Sequence, residues 1–161
     1  MVTTIETATC DIGFNDLLPE FIPVRINFVT TKYGKGFAPP KHIRISAIPT
    51  EGTNFVFNFA EDGMPQETAS IPFQFIARFI ENIVVQSTWI VNQGWIFRGA
   101  APSPFKVGQP FEMEFIAAAN NGINIYIDNK LFASFERLDM SQVSQLEIKG
   151  AIHIRYIFLC E

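Results

Sequence analysis

Histidine is nearly missing from this chain: His42 and His153 are the only two among 161 residues. A nucleophile needs a positioned base, and histidine is the usual one near neutral pH, so the scarcity leaves little room for acid–base or covalent catalysis. Each histidine falls on the polar side of a predicted strand, where a solvated surface role is expected. Cysteine is equally scarce, with Cys10 and Cys160 at opposite ends of the chain. No Cys or His pair has the spacing of a zinc motif, so neither a metal nor another cofactor is expected. The opening residues Met1-Val2-Thr3-Thr4-Ile5-Glu6 lack the basic and apolar regions of a secretory leader. Two free thiols in a reducing, cytoplasmic setting are therefore expected in preference to a terminus-to-terminus disulfide.

Charge is also sparse, at 17% of residues, and the formal net charge is −4. That balance speaks against a nucleic-acid partner or an anionic membrane surface. No apolar run approaches the roughly 20 residues of a spanning helix, so membrane insertion is not expected. Gly-rich phosphate loops and the Gly-x-Ser-x-Gly elbow are absent. Glu112 and Glu114 are two apart on a predicted strand, about 7 Å on one face, which approaches the spacing of a glycosidase pair. They alternate with Phe111, Met113 and Phe115, the pattern of an ordinary solvent face, and the Glu-x-Asp-x-x-Glu pattern of sandwich glycosidases is absent. The chain is not expected to be an enzyme.

What the chain does hold is phenylalanine, 17 in all, within a 48% hydrophobic composition. Phe favours strands and buries a large apolar area, so a Phe-filled core between two sheets is predicted. Period-two alternation supports it. Ile43 and Ile45 alternate with Arg44 and Ser46, and Phe55, Phe57 and Phe59 with Asn54, Val56 and Asn58. Ile123, Ile125 and Ile127 alternate with Asn124, Tyr126 and Asp128, and the last strand sets Ile152, Ile154, Tyr156 and Phe158 against His153, Arg155 and Ile157. Turns are predicted at Asn120-Asn121-Gly122 and Asp128-Asn129-Lys130, whose residues tolerate positive φ, with breaks at Pro39-Pro40, Glu61-Asp62-Gly63 and Pro102-Ser103-Pro104. Only Asp139–Val143 could hold a helical turn. The expectation is an all-β, two-sheet antiparallel β-sandwich of about ten or eleven strands. Residues 1–16 are read as an N-terminal arm or extra edge strand, and residues 17–161 as the domain.

Several segments resemble the galectins, the β-galactoside-binding jelly-roll lectins. Asn54-Phe55-Val56-Phe57-Asn58-Phe59 is similar to the family's Phe-x-Ile-Asn-Leu strand, and Phe73-Gln74-Phe75-Ile76-Ala77-Arg78-Phe79 to its His-Phe-Asn-Pro-Arg-Phe strand. Glu81-Asn82-Ile83-Val84-Val85-Gln86-Ser87 resembles Glu-Asn-Val-Ile-Val-Arg-Asn, and Pro104-Phe105-Lys106-Val107-Gly108-Gln109-Pro110-Phe111 resembles Pro-Phe-x-x-Gly-x-x-Phe. The hairpin at Ile123–Phe135 and the closing Leu146–Ile152 segment follow in the family's order, so the resemblance runs from about residue 21 to residue 160.

The resemblance implies a galectin-like jelly roll and a sugar site in which a Trp stacks on galactose while His, Asn, Arg and Glu bond its hydroxyls. On this chain the His position is Gln74, the first Asn position is Ile76, and Arg78 is kept. The second Asn position falls on Ser87, or on Gln86 with a different gap. The Trp-Gly-x-Glu-x-Arg segment corresponds to Gln93-Gly94-Trp95-Ile96-Phe97-Arg98 in either of two registers, one of which keeps Gly94 and Arg98. No Asp or Glu lies between Asn82 and Phe111, so the acid that would orient the arginines is missing from that stretch. Gln74, Arg78, Ser87, Trp95 and Arg98 are the candidate carbohydrate-binding residues. The expected function is a non-enzymatic binding module with an altered or lost galactoside site, directed to another glycan, a glycoprotein or a protein partner. Retained galactoside binding and structural self-association as a homodimer are the alternatives. The resemblance also leaves export without a signal peptide open.

Overall fold

The computed structural model describes residues 9–136 and 139–161, with the side chains of Phe97 and Arg98 outside the description. Twelve strands are present among the described residues, one or two more than the alternation predicts. One sheet has the order β1 (Ile12–Leu17), β12 (Ile152–Cys160), β3 (His42–Pro49), β8 (Phe111–Ala118), β9 (Gly122–Ile127), β10 (Lys130–Glu136). The other runs β2 (Val24–Asn27), β11 (Gln145–Gly150), β4 (Asn54–Ala60), β5 (Ile71–Arg78), β6 (Ile83–Ile90), β7 (Gly94–Pro102). Each ladder is antiparallel, so the chain is the expected two-sheet jelly roll.

The alternation works because each strand has one face against the opposite sheet. Phe55, Phe57 and Phe59 of β4 and Phe73 and Phe75 of β5 are fully buried and point at β8 of the other sheet. Phe115 sits at the centre, with its ring 5.1–6.2 Å from those of Phe57, Phe59, Phe73 and Phe75. Phe105 and Phe111 close one flank, 4.5 Å apart. Such aromatic contacts add to the stabilisation from area burial alone.

The two predicted hairpins form on the residues named for them. Asn120 and Asn121 take φ of 59° and 58°, and Asp128 and Asn129 take 50° and 65°. Positive φ at both central positions matches the twist of the flanking strands, which is why Asn and Asp stand there. Gly150 is a stricter case: its φ is +102°, and a Cβ placed on it would lie 2.3 Å from the carbonyl oxygen of Asn54. Segment Asp139–Val143 contains a turn at Ser141–Gln142 but no helix.

Two expectations fail in this sheet for one reason, the pairing geometry of β12. Its alternation does not run straight through, because the β12–β3 register shifts between Ile154 and Tyr156. The bulge adds a residue and reverses the faces. Ile152, Ile154, Ile157 and Leu159 are buried in the core, while Tyr156 and Phe158 turn outward with partial exposure. The thiols are not free: Cys10 and Cys160 form a disulfide that links positions 150 apart in sequence. Chain ends far apart in sequence meet because β1 is laid along β12 from the Ile12–Leu159 pair to Leu17–Ile154. By the chain-entropy model a closed loop of that length stabilises the fold by up to about 5 kcal/mol. No helix is long and apolar enough to cross a membrane among the described residues.

Candidate functional site

The outer face of the second sheet carries polar residues in cross-strand rows, and register decides which of them meet. Ser87 of β6 pairs with Gln74 of β5, Gln74 with Asn58 of β4, Asn58 with Glu147 of β11, and Glu147 with Arg25 of β2. The middle of the row is hydrogen-bonded. Gln74 Nε2 donates to Asn58 Oδ1 at 2.9 Å, and Asn58 Nδ2 donates to Glu147 Oε1 at 3.0 Å. All four side chains from Ser87 to Glu147 are buried or nearly so, so these bonds satisfy groups that water reaches poorly.

One row further along, Ile76 faces Val56 on one side and Val85 on the other, and Val56 faces Lys149. This row is an apolar strip with a cation at its end. Together the two rows floor a groove of about 340 Å³ lined by Val56, Gln66, Gln74, Ile76, Arg78, Val85, Ser87, Trp95 and Lys149. Trp95 stands on the edge strand β7, 46% exposed, and is therefore not a core aromatic.

Four of the five residues proposed from sequence, Gln74, Arg78, Ser87 and Trp95, thus line a single groove. Arg98 belongs to β7, but its side chain lies outside the described residues. Arg78 has an acidic neighbour that lies before the acid-free stretch from Asn82 to Phe111. Arg78 Nη1 lies 3.7 Å from Glu81 Oε2, an exposed pair just beyond the strand end. The hydrogen-bonded part of the polar row ends on Glu147, which Asn58 couples to Gln74. Asn58, Val56, Val85, Glu147 and Lys149 escape a sequence reading of the site because their membership depends on strand register, which alternation alone does not reveal, and Gln66 escapes it because it reaches the groove from the β4–β5 connection.

The opposite sheet shows what the remaining candidates do. Glu112 accepts a hydrogen bond from Tyr156 Oη at 2.7 Å and lies 3.6 Å from Arg155 Nη2. Glu114 accepts from Arg44 Nε at 3.0 Å and is 3.5 Å from His42 Nε2. Both acids are held by neighbours rather than freely solvated, and they border a cleft of about 210 Å³ with Tyr126 and Tyr156. Hydrogen bonding to Glu112 is the main reason that the Tyr156 hydroxyl is raised above its ordinary range. His153 remains a surface residue, 3.3 Å from Asp16. His42 does not: its side chain keeps only 12% exposure, because Cys160 pairs with it in register and Glu114 borders it.

Comparison with known proteins agrees with the geometry. The sequence profile of the family described as galactoside-binding lectin matches residues 28–159. Among solved structures, a galectin of Caenorhabditis elegans, LEC-6, is 23% identical over 91% of this chain and 94% of its own, with a TM-score of 0.76. Sheep galectin-11, solved in complex with glycerol, is 22% identical over 89% of this chain and 99% of its own, with a TM-score of 0.70. A variant of human galectin-16 is 14% identical over 91% of this chain and 98% of its own, with a TM-score of 0.73. No curated protein sequence matches the chain. With twelve strands in jelly-roll order and a profile match over most of its length, the chain belongs to the family of galactoside-binding lectins, the galectins.

Proposed function

We propose that this non-enzymatic galectin-fold lectin domain binds a glycan that carries an acidic group, and not an ordinary β-galactoside. The observation that carries the reading is the lining of the groove. It joins an exposed Trp95 to Gln74, Ser87, Arg78 and Lys149 over an apolar floor of Val56, Ile76 and Val85, with no carboxylate among its lining residues. A sugar ring stacks on an indole through its C–H face, and its hydroxyls suit the amide of Gln74 and the hydroxyl of Ser87. Two cations facing one groove favour a carboxylate or sulfate. The Arg78–Glu81 pair is exposed on both sides, and exposed pairs are weak enough to be exchanged for a ligand anion. Ile76, by contrast, presents a methyl surface where the family places a hydroxyl-bonding Asn, which opposes the ordinary mode.

A glycan array covering lactose, sialylated and sulfated saccharides tests the reading, with Trp95→Ala and Arg78→Ala as controls. Acidic glycans are expected to score above lactose, to weaken as salt rises, and to be lost in both variants. Firm retention on lactose-agarose, eluted by free lactose and abolished by Trp95→Ala, would overturn it.

A second reading, a protein partner or self-association, rests on the β1–β2 connection, where Leu18, Phe21 and Ile22 are 67%, 90% and 76% exposed. Neighbouring exposed apolar side chains of this size favour an interface. Light scattering behind size exclusion decides it: a strict monomer at high concentration speaks against self-association.

A further inference from the structure

Three adjacent strands of the first sheet bring two cysteines and a histidine into one row. Cys160 of β12 is in register with His42 of β3, and Cys10, just before β1, is bonded to Cys160 on the other side. The two sulfurs and a ring nitrogen of His42 all lie within 4.8 Å of one another. Cys160 is fully buried and Cys10 is half-buried, so the group is sheltered yet reachable from one side. Proximity does not rest on the S–S bond alone. Thr9 and Glu161 exchange two backbone hydrogen bonds of 2.9 Å, and the β1–β12 ladder continues from Ile12 to Leu17. Cys10 is therefore held opposite Cys160 by backbone pairing on both sides.

We propose that the dithiol form of this chain binds one zinc ion through Cys10 Sγ, Cys160 Sγ and a ring nitrogen of His42, and that the disulfide form does not. Tetrahedral zinc with sulfur and imidazole ligands places its ligand atoms about 3.5–3.8 Å apart, which fits the dimensions of the cluster once the sulfurs separate. Two thiolates and an imidazole are a donor set that selects zinc over hard cations. The surroundings are those of a metal-binding histidine. His42 Nε2 lies 3.5 Å from Glu114 Oε2 and Nδ1 lies 3.3 Å from the carbonyl oxygen of Pro40, so whichever nitrogen ligates, the other has an acceptor in place. Glu114 is itself held by Arg44 Nε at 3.0 Å. Three protein ligands leave the fourth position to water. No zinc motif is visible in the sequence because the ligands come from three separate stretches of the chain rather than from one loop.

The chemistry balances with a dithiol as reductant. One of its thiolates attacks a sulfur of the disulfide, and its second thiol displaces the mixed disulfide. Two electrons and two protons pass to the protein, leaving two protein thiols and a cyclic disulfide in the reductant. Zinc then displaces both thiol protons to solvent as the thiolates ligate it.

The test uses the full chain, reduced with dithiothreitol and desalted under argon, with Co²⁺ as a spectroscopic probe and Zn²⁺ as competitor. One equivalent of Co²⁺ is expected to give a thiolate-to-cobalt charge-transfer band and tetrahedral visible bands that Zn²⁺ abolishes, while the oxidised chain gives neither. His42→Ala is expected to weaken binding more than about tenfold, Glu114→Gln by roughly tenfold, and Cys10→Ser to remove the charge-transfer band. A reduced chain without that band, or one whose affinity is unchanged in His42→Ala, would overturn the proposal. So would loss of the β-sheet circular dichroism on reduction, because the row exists only in the folded sheet.

Discussion

Gln74 and Asn58 face each other across β5 and β4, and the amide of the first donates to the amide oxygen of the second at 2.9 Å. Asn58 spends its own donor on Glu147 at 3.0 Å, so the three side chains form a relay beneath the groove. Asn58 is fully buried and stands in the middle. Removing it leaves both Gln74 and Glu147 without their partner, and a buried group left unsatisfied costs roughly 1–3 kcal/mol. Asn58→Ala is expected to destabilise the fold by about 2 kcal/mol in urea unfolding. A double-mutant cycle with Gln74→Ala is expected to show coupling, whereas strict additivity would mean that the relay carries no energy of its own.

Phe115 is the aromatic on which both sheets converge, in contact with four other Phe rings. Phe115→Ala opens a cavity that rigid strands cannot collapse, and a loss of about 3–5 kcal/mol is expected by denaturant titration. Leu131→Ser, at a side chain 57% exposed on β10, is expected to change stability by less than about 0.5 kcal/mol.

At Gly150 backbone conformation and space act together. The positive φ is strained for any side chain, and the added methyl meets the Asn54 carbonyl, which is backbone and cannot swing away. Gly150→Ala is expected to cost on the order of 3 kcal/mol. Gly94→Ala, which also has a positive φ but nothing within 4 Å of the added carbon, is expected to cost less. Thermal midpoints of the two variants, measured side by side, separate the steric part from the conformational part.

Tyr33 gives the fold an alkaline limit. Its ring is buried, its hydroxyl donates to the carbonyl oxygen of His42 at 3.1 Å, and burial, followed by the charge of Glu161, raises its pKa far above the ordinary 10.0. Below pH 10 both folded and unfolded chains keep this proton, so the stabilisation is intact. Above it the unfolded chain ionises first, the folded state binds the extra proton, and stability falls by up to about 1.4 kcal/mol per pH unit. Lys41, whose ammonium lies 4.7 Å from the Tyr33 ring centre, is shifted the other way, with burial lowering its pKa. Its contribution rises with pH as the folded chain gives up that proton before the unfolded one. Lys41 is present in both wild type and Tyr33→Phe, so their difference isolates the tyrosine. Urea midpoints from pH 8 to pH 11 are expected to fall more steeply in the wild type; parallel curves would contradict the assignment.

Much of the architecture is legible in the sequence because it depends on local rules. Phe55, Phe57 and Phe59 announce a strand with one buried face, and Asn120-Asn121 announces the turn that forms there. The groove is legible in part, since Gln74, Arg78, Ser87 and Trp95, the candidates read from the sequence, line it together. What stays hidden depends on pairing between distant strands. Lys149 joins the groove only because it is in register with Val56, and Glu147 joins the polar row only because it is in register with Asn58. The disulfide is hidden for the same reason, since Cys10 and Cys160 meet through a ladder that no local pattern encodes.

The bulge between Ile154 and Tyr156 has a consequence for how the last strand tolerates change in length. It acts as a one-step phase shift: upstream of it even-numbered residues face the core, downstream of it odd-numbered ones do. Deleting Arg155 would remove the extra residue and leave regular alternation, with Ile154, Ile157 and Leu159 still facing the core and Tyr156 and Phe158 still facing out. Cys160 would keep its place beside His42. A shortening of one residue is thus absorbed at the bulge, whereas the same loss at Phe158 would turn Leu159 outward and move Cys160 off the face on which it is bonded to Cys10.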